Sequence, residues 1–261
     1  MVRELENLVN KIWNEDCLEG MLRIPDASID FILCDLPYGI TNHDWDVIIP
    51  FEPLWEQYER IIKADGAIAL TANQSFTHKV IASNSTLFRY KWIWEKNRIG
   101  NFINAKQRPM SAFEEILMFS KGGVSNASKT PMRYYPQGLV RAKSPTELKR
   151  EASQFGELKG NKSIEEMEFF TNYPKDVIKV PYEVDNIHPT QKPIALFRYL
   201  IETYTLPGQI VLDNCMGSGT TAIACMDTNR EFIGFEKDFR FWRMANQRIE
   251  KNTTQMSFFD L

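Results

Sequence analysis

The chain has 261 residues, 43% of them hydrophobic and 25% charged, which suits one large soluble domain or a core with an insertion. No stretch approaches the roughly 18 uninterrupted apolar residues of a membrane span, and the charged N-terminus lacks the apolar core of a secretion signal, so we expect a cytoplasmic protein. The net charge of −3 argues against a uniformly basic surface, and the cysteine spacing predicts reduced thiols and no metal site.

Short apolar, β-branched runs alternate with helical patterns along the chain, which predicts βαβ units and a largely parallel sheet. The predicted strands are Lys11–Asn14, Ile29–Cys34, Gly66–Thr71, Tyr90–Glu95, Glu115–Ser120, Gln209–Leu212 and Glu231–Phe235. The predicted helices are Phe51–Lys63, Gln191–Thr203, Gly219–Asn229 and Phe239–Lys251. The tail from 253 to 261 is expected to be mobile.

The stretch from 122 to about 185 differs from its surroundings because it is rich in Lys, Glu, Ser and Pro and has few apolar runs. This composition predicts an inserted irregular module, or a segment that is partly disordered without its partner. The chain therefore divides into a first half of a core at 1–121, an insertion at 122–185 and a second half of the core at 186–261.

The charges are distributed unevenly along the chain. Residues 1–85 contain 6 basic and 14 acidic side chains, residues 86–150 contain 13 and 4, and residues 151–261 contain 12 and 16. One basic block in an acidic protein is expected where phosphate contacts are concentrated on one face. A solvated surface without function could have the same charges, but aromatic residues such as Trp92 and Phe102 are interleaved with them, which favours nucleic-acid binding.

The segment Asp35-Leu36-Pro37-Tyr38 directly follows a predicted buried strand. Ligands bind at the carboxyl edge of open α/β sheets, so this segment places a carboxylate, a backbone carbonyl and an aromatic face at a binding edge. Two acceptors and a stacking ring suit a planar nucleobase with an exocyclic amino group. The alternative is a turn that merely ends the strand, since Asp and Pro are ordinary turn residues.

A second pattern, at 209–222, predicts a strand, a glycine turn and the start of a helix. Gly217 and Gly219 allow the backbone to approach a ligand closely, and the helix N-terminus offers free N–H groups. Glu236 ends the next strand, where a carboxylate can accept both hydroxyls of a ribose. A dinucleotide is an alternative ligand, but Asp213 would repel its pyrophosphate, whereas this carboxylate suits the ammonium group of S-adenosylmethionine.

The order of these motifs resembles that of the β-class amino DNA methyltransferases of restriction–modification or phage type. In that family the catalytic motif precedes the target-recognition region, and H-P-T-Q-K-P and the cofactor turn follow. Here D-L-P-Y lies at 35–38, H-P-T-Q-K-P at 188–193 and D-N-C-M-G-S-G-T-T at 213–221. The resemblance implies a permuted Rossmann-like α/β sheet with helices on both faces, and direct in-line methyl transfer from S-adenosylmethionine to a flipped-out DNA base.

The resemblance also implies roles for individual residues. The implied catalytic set is Asp35, Leu36, Pro37 and Tyr38. The implied cofactor-binding set is Asp16, Cys17, His188, Thr190, Lys192, Pro193, Asp213, Gly217, Gly219, Thr220, Thr221 and Glu236. Within it, Asp16 would bind the adenine amino group and Glu236 the ribose, Asp213 would face the methionine end, and the H-P-T-Q-K-P residues would close the pocket from the other side.

Two departures from the family pattern bear on these roles. Leu36 replaces a Pro, but the group needed there is a backbone carbonyl, which Leu also supplies. Asn214 and Cys215 replace the usual Pro and Phe of the cofactor turn, which removes an aromatic wall and predicts weaker cofactor binding.

Several alternatives are open at this point. Asp35 rather than Ser at the first motif position favours adenine N6 over cytosine N4 as the target. RNA or protein-amide methyltransferases share the chemistry, although they usually have the glycine turn before the catalytic motif. A DNA-binding protein with an inactive methylase core would be expected to lack Asp35, Gly217 or Gly219, all of which are present. DNA is the expected partner, and a homodimer is left open because the family contains monomers and dimers.

Overall fold

The structure is a computed structural model that describes residues 5–41, 43–142, 170–182 and 191–259. The chain forms two compact units, the larger made of 1–134 and 176–261, the smaller of 135–175. The smaller unit lies inside the range that the sequence assigns to target recognition. In its described part, strands β6 (Val140–Arg141) and β7 (Phe170–Thr171) pair in antiparallel fashion.

The larger unit contains the elements predicted from the apolar runs and several more. Its strands are β1 (Lys11–Trp13), β2 (Ile29–Cys34), β3 (Ile62–Ala72), β4 (Phe88–Gly100), β5 (Ser111–Phe119), β8 (Val177–Lys179), β9 (Ile210–Asp213) and β10 (Glu231–Phe235). Its helices are α1 (Cys17–Met21), α2 (Phe51–Ile61), α3 (Ser75–Ser83), α4 (Ile194–Tyr204), α5 (Thr220–Asp227) and α6 (Phe239–Phe259).

The eight strands of the larger unit form one sheet in the order β1-β10-β9-β2-β3-β5-β4-β8. Strand β5 is antiparallel to both β3 and β4, and the other neighbours run parallel. A hairpin joins β4 to β5, so those two strands must run in opposite directions. The prediction of a largely parallel α/β sheet is therefore confirmed, with one reversed strand.

Strand β2 shows why helices cover the sheet on both faces. All six of its residues are buried, and successive side chains of a strand point to opposite faces. Ile32 packs in one apolar cluster with Tyr58 of α2, whereas Phe31 packs in the other cluster with Leu200 of α4. The apolar run without alternation in the sequence is thus the pattern of a central strand with two covered faces.

Some boundaries differ from the predictions. Helix α4 begins at Ile194 rather than at Gln191, because Pro193 has an extended backbone and serves as the N-cap. Helix α6 continues to Phe259, past the predicted end at Lys251, and the mobility of the tail stays a prediction. Helices α1 and α3 and strands β6–β8 were not predicted, since they are too short to show a clear period.

Among the described residues, no helix is both long and apolar enough to cross a membrane. All four cysteines are free, as the spacing predicts.

Candidate active site

A cavity of about 750 Å³ lies at the carboxyl ends of β2, β9 and β10. Most of the predicted catalytic and cofactor-binding residues line it: Asp16, Cys17, Asp35, Leu36, Pro37, Tyr38, Lys192, Asp213, Gly217, Thr220, Thr221 and Glu236. Gly219 lies within the glycine turn and Pro193 at the start of α4. His188 and Thr190 lie outside the described residues. An open groove of about 810 Å³ along α2 and α3 contains none of the predicted residues.

The register of the sheet sets the position of Asp35. Strands β2 and β3 are parallel with Cys34 opposite Leu70, so the residues that follow, Asp35 and Thr71, meet at the sheet edge. The Thr71 hydroxyl donates a hydrogen bond to Asp35 Oδ1. The Tyr38 hydroxyl donates to the same oxygen over 3.0 Å. Two neutral donors therefore fix one oxygen of the carboxylate.

Lys192 occupies the other oxygen of Asp35. Its Nζ lies 2.7 Å from Asp35 Oδ2 and 3.3 Å from Glu114 Oε2, and only 7% of its side chain is exposed. Lys96 Nζ in turn donates to Glu114 Oε1 over 3.0 Å. Two lysines and two carboxylates thus alternate in a buried chain from the hairpin stem to the cavity.

The pKa values of Lys192 and Glu114 are both shifted toward the ionised form. Burial opposes the charge of Lys192, but Asp35 and Glu114 outweigh it and raise the lysine pKa well above its usual value. Burial likewise opposes the charge of Glu114, yet Lys192 and Lys96 lower its pKa. The sequence predicts that Lys192 closes the cofactor pocket. Its direct contact with Asp35 was not predicted.

The Tyr38 ring is fixed at both ends. Its hydroxyl bonds to Asp35 and lies 3.1 Å from Thr71 Oγ1, and its ring stacks on Phe76 with centroids 4.7 Å apart. One face of the ring is therefore occupied by Phe76 of α3. The predicted stacking on a nucleobase would use the remaining surface of the ring, toward the cavity.

The glycine turn takes the backbone shape that its sequence predicts. Gly217 and Gly219 have φ of +53° and +84°, in the left-handed region that side chains disfavour. The Gly217 N–H donates to Glu236 Oε2 over 2.7 Å, which ties the turn to the end of β10. The loop between β9 and α5 is therefore closed against the neighbouring strand.

Substitution of Gly219 tests how closely this turn is packed. A Cβ at Gly219 would lie 3.0 Å from Ala245 Cβ, whereas a Cβ at Gly208, which has φ of +79°, would meet nothing within 4 Å. We expect Gly208→Ala to lower the free energy of unfolding by about 1–2 kcal/mol through backbone strain. Gly219→Ala should lower the free energy of unfolding by roughly 1–3 kcal/mol more than Gly208→Ala, because the added Cβ overpacks against Ala245. Urea unfolding of both variants checks this, and equal losses would contradict it.

Asp213 is a buried carboxylate without a cationic partner among the described residues. It accepts hydrogen bonds from the Thr221 hydroxyl and, over 3.0 Å, from the Cys215 N–H. Burial raises its pKa from 3.8 to about 7, against the opposing effect of these hydrogen bonds. The cavity wall thus contains a carboxyl group that a cationic ligand would stabilise in the ionised form.

The other predicted cofactor residues surround the same end of the cavity. Glu236 accepts N–H groups at both oxygens, from Gly217 and Asp238, and burial raises its pKa nevertheless. Asp16 caps α1 by accepting the Leu18 N–H over 2.9 Å.

The cavity also has aromatic walls that the sequence analysis missed. Trp45 and Phe241 both line it, with ring centroids 6.1 Å apart. They belong to segments other than the turn where Cys215 replaces an aromatic residue. The cavity therefore has aromatic side chains from two other segments, and weaker cofactor binding stays a prediction.

Thr71, Lys96, Phe76 and Glu114 complete the surroundings of Asp35 and were not predicted. Thr71 could have been found, because it ends the predicted strand Gly66–Thr71, which lies next to β2 in the sheet. Lys96 and Glu114 could not, since nothing local in the sequence indicates that β5 inserts between β3 and β4.

Comparison with known proteins gives consistent matches over nearly the whole chain. A family model described as DNA methylase matches residues 29–247. The chain is 30% identical to the type II methyltransferase M.BglII of Bacillus subtilis over 92% of this chain and 68% of the relative. It is 28% identical to the DNA adenine methyltransferase YhdJ of Escherichia coli over 94% of this chain and 84% of the relative.

Solved structures share the fold at lower identity. The M1.HpyAVI–SAM complex superposes with a TM-score of 0.58 at 21% identity, covering 91% of this chain and 98% of that one. The cytosine-N4-specific PvuII DNA methyltransferase gives a TM-score of 0.62 at 15% identity, covering 93% and 89%. These likenesses support the arrangement of the sheet and helices.

Proposed function

Because the chain belongs to the DNA methylase family, we propose that it is an amino DNA methyltransferase of restriction–modification type that moves a methyl group from S-adenosylmethionine to adenine N6. The observation on which this rests is the Asp35 carboxylate, held in the cavity by Tyr38 and Thr71 on one oxygen and Lys192 on the other. A fixed acceptor of this kind suits an exocyclic amine.

The cavity fits S-adenosylmethionine at the end formed by the glycine turn. Asp213 has no basic partner among the described residues, so it can take the ammonium of the methionine part. Glu236 and Asp16 line the same cavity and offer acceptors for the ribose and the adenine amino group. When bound, the cofactor supplies an electrophilic methyl group on a sulfonium.

Asp35 and the Leu36 carbonyl would act on the target amine. A carboxylate offers about four acceptor positions, and Tyr38, Thr71 and Lys192 use three of those on Asp35. The Leu36 carbonyl oxygen accepts no hydrogen bond within the described residues. Two free acceptors can therefore take the two N–H bonds of the amine, which draws its nitrogen toward a tetrahedral form and frees the lone pair. Fixed position and orientation provide most of the acceleration.

Adenine is the proposed target base. Asp35 at the first position of the motif favours it, and YhdJ is described as an adenine methyltransferase. Cytosine N4 is the second candidate, because the PvuII enzyme of the same fold is described as specific for it. In either case the amine lies inside the duplex, so the base must leave the stack to reach Asp35. The segment 122–185 and the basic block would read the DNA sequence.

The raised pKa of Asp213 predicts a pH dependence of stability. A carboxyl group with a higher pKa in the folded state than in the unfolded state stabilises the fold below the unfolded value, and this contribution is lost as pH rises through the folded value. The window runs from 3.8 to about 7. At about 1.4 kcal/mol per pKa unit, the loss is on the order of 4 kcal/mol.

Asp213→Asn removes this titration, so the variant should gain stability relative to the original chain as pH rises through the window. Urea unfolding of both proteins below, within and above the window measures the difference. Asp26→Asn, at a side chain that is 78% exposed, is the control. A difference that stays constant with pH would rule out the buried carboxyl as the cause.

The test of the function is transfer of labelled methyl from S-adenosylmethionine to unmethylated genomic DNA, followed by digestion to nucleosides. Label in N6-methyladenine is the expected result. Label in N4-methylcytosine would show that the target base is cytosine instead of adenine. Absence of label in DNA, with measurable cofactor binding, would move the proposal to RNA or protein amides. If DNA is labelled, mapping the methylated positions by sequencing gives the target sequence.

A further inference from the structure

The tip of the β4–β5 hairpin presents two large apolar side chains to solvent. Phe102 is 79% exposed and Ile103 is 94% exposed, the highest values for large apolar residues in the described part of the chain. They lie on a short 3-10 turn, Phe102–Asn104, between Asn101 and Ala105. Adjacent apolar side chains in this position do not contribute to the core, so we expect them to contact a partner.

The charges around the tip indicate what kind of partner it is. The segment 96–110 contains four basic residues and no acidic one. Three of them, Arg98, Lys106 and Arg108, are exposed. A protein partner would bury the apolar tip equally well, but a strip of cations without anions matches a phosphate backbone.

Two of these basic residues place the hairpin beside the cavity. Arg108 Nη1 donates to Gln74 Oε1 over 3.3 Å, and the preceding residue, Asn73, lines the cavity. On β4, the Arg98 guanidinium lies 5.8 Å from the ring centroid of Tyr182, which also lines the cavity. The chain on both sides of the hairpin tip therefore contacts the rim of the site that contains Asp35.

We propose that Phe102 and Ile103 form an apolar wedge that enters the base stack of duplex DNA next to the target and keeps it open while the target base occupies the cavity. This inference rests on the proposed function, because it requires a duplex substrate. Apolar side chains inserted between base steps unstack them and kink the duplex. Lys106 and its basic neighbours contact the phosphates on either side and position the wedge.

The test compares two duplexes that contain the target sequence mapped on genomic DNA. One is fully paired, and the other has an abasic site opposite the target base, so that the target is already unpaired. The double variant F102A/I103A should methylate the paired duplex about ten- to a hundredfold more slowly than the original chain, since unstacking is then unassisted. On the abasic duplex its rate should return to near that of the original chain.

Matched controls separate the wedge from general effects. The double variant L22A/L206A removes two apolar side chains that are 66% and 47% exposed elsewhere on the larger unit, and it should behave as the original chain on both duplexes. Lys106→Gln should weaken binding to both duplexes alike and reduce the slope of log affinity against log salt by about 1. Cofactor affinity and thermal unfolding should be unchanged in all three variants.

The outcomes are distinguishable from failure of the proposed function. If the original chain methylates no DNA, the proposed function fails and the wedge fails with it. If the original chain is active and F102A/I103A is equally active on the paired duplex, the wedge alone is overturned. An equal loss on the paired and abasic duplexes also overturns it, since that pattern indicates a binding contact or an interface with another protein.

Discussion

Replacement of Asp35 by Asn should lower methyl transfer to DNA by about two to three orders of magnitude, the effect typical of losing one preorganised polar group at a reacting centre. The amide keeps the shape of the side chain but directs an N–H group toward either the donors on Oδ1 or the Lys192 ammonium. It also removes an acceptor that the target amine requires. Initial rates with labelled cofactor on genomic DNA measure the loss.

The same variant should bind the cofactor with nearly unchanged affinity, because the acceptors proposed for the cofactor, Asp213 and Glu236, are held by hydrogen bonds that do not involve Asp35. Calorimetric titration with S-adenosylmethionine checks this. Asp26→Asn, which changes an exposed carboxylate, controls for loss of one charge. Parallel loss of cofactor binding would show that Asp35 supports the cavity rather than the reaction.

Replacement of Lys192 by Met should lower the free energy of unfolding by about 3–5 kcal/mol, because it leaves the carboxylates of Asp35 and Glu114 without their shared cation in a buried position. Methyl transfer should fall as well, since Asp35 Oδ2 loses the contact that orients it. Urea unfolding and the rate assay measure the two effects separately.

An exposed ion pair supplies the control for this change. Lys179→Met breaks the ion pair with Glu95, in which the Lys179 side chain is 74% exposed and the Glu95 side chain 46%. This variant should change the free energy of unfolding by less than about 1 kcal/mol. The double variant Lys192→Met/Asp35→Asn should recover part of the lost stability, because Asp35 has no second cation among the described residues, whereas Glu114 keeps its pair with Lys96. No recovery would indicate that packing, not charge, causes the loss.

The effect of Lys192→Met should also depend on pH. In the original chain the pKa of Glu114 is lowered from 4.5, so its pairing stabilises the fold above that value and the contribution is lost as pH falls through the lowered pKa. The difference in stability between the two proteins should therefore shrink below about pH 4.5. A constant difference at acidic and neutral pH would contradict an electrostatic origin.

The parts of the fold that the sequence predicts are those with a strong local pattern. The run Ile29–Cys34 is apolar without alternation because both faces of β2 are covered, and its length limits it to a strand. The glycine turn is predictable for a similar reason, since positive φ at Gly217 and Gly219 favours residues without a side chain. In both cases neighbouring residues determine the structure.

The surroundings of Asp35 depend instead on contacts between distant segments. Lys192 lies 157 positions along the chain from Asp35, and Glu114 reaches it only because β5 runs antiparallel between β3 and β4. No periodicity in the sequence records this strand order. The motif H-P-T-Q-K-P suggested a cofactor role for Lys192, whereas its contact with Asp35 became visible only in the assembled sheet.

The protonation of Asp213 has a consequence for the heat of ligand binding. With a pKa of about 7, this carboxyl group is partly neutral in a neutral solution. An ammonium ion that binds against it must drive the proton out into the buffer. The enthalpy measured on mixing cofactor and protein would then include the ionisation enthalpy of whichever buffer takes up that proton. Two buffers at one pH would give different heats for the same complex, and their difference would count the protons released.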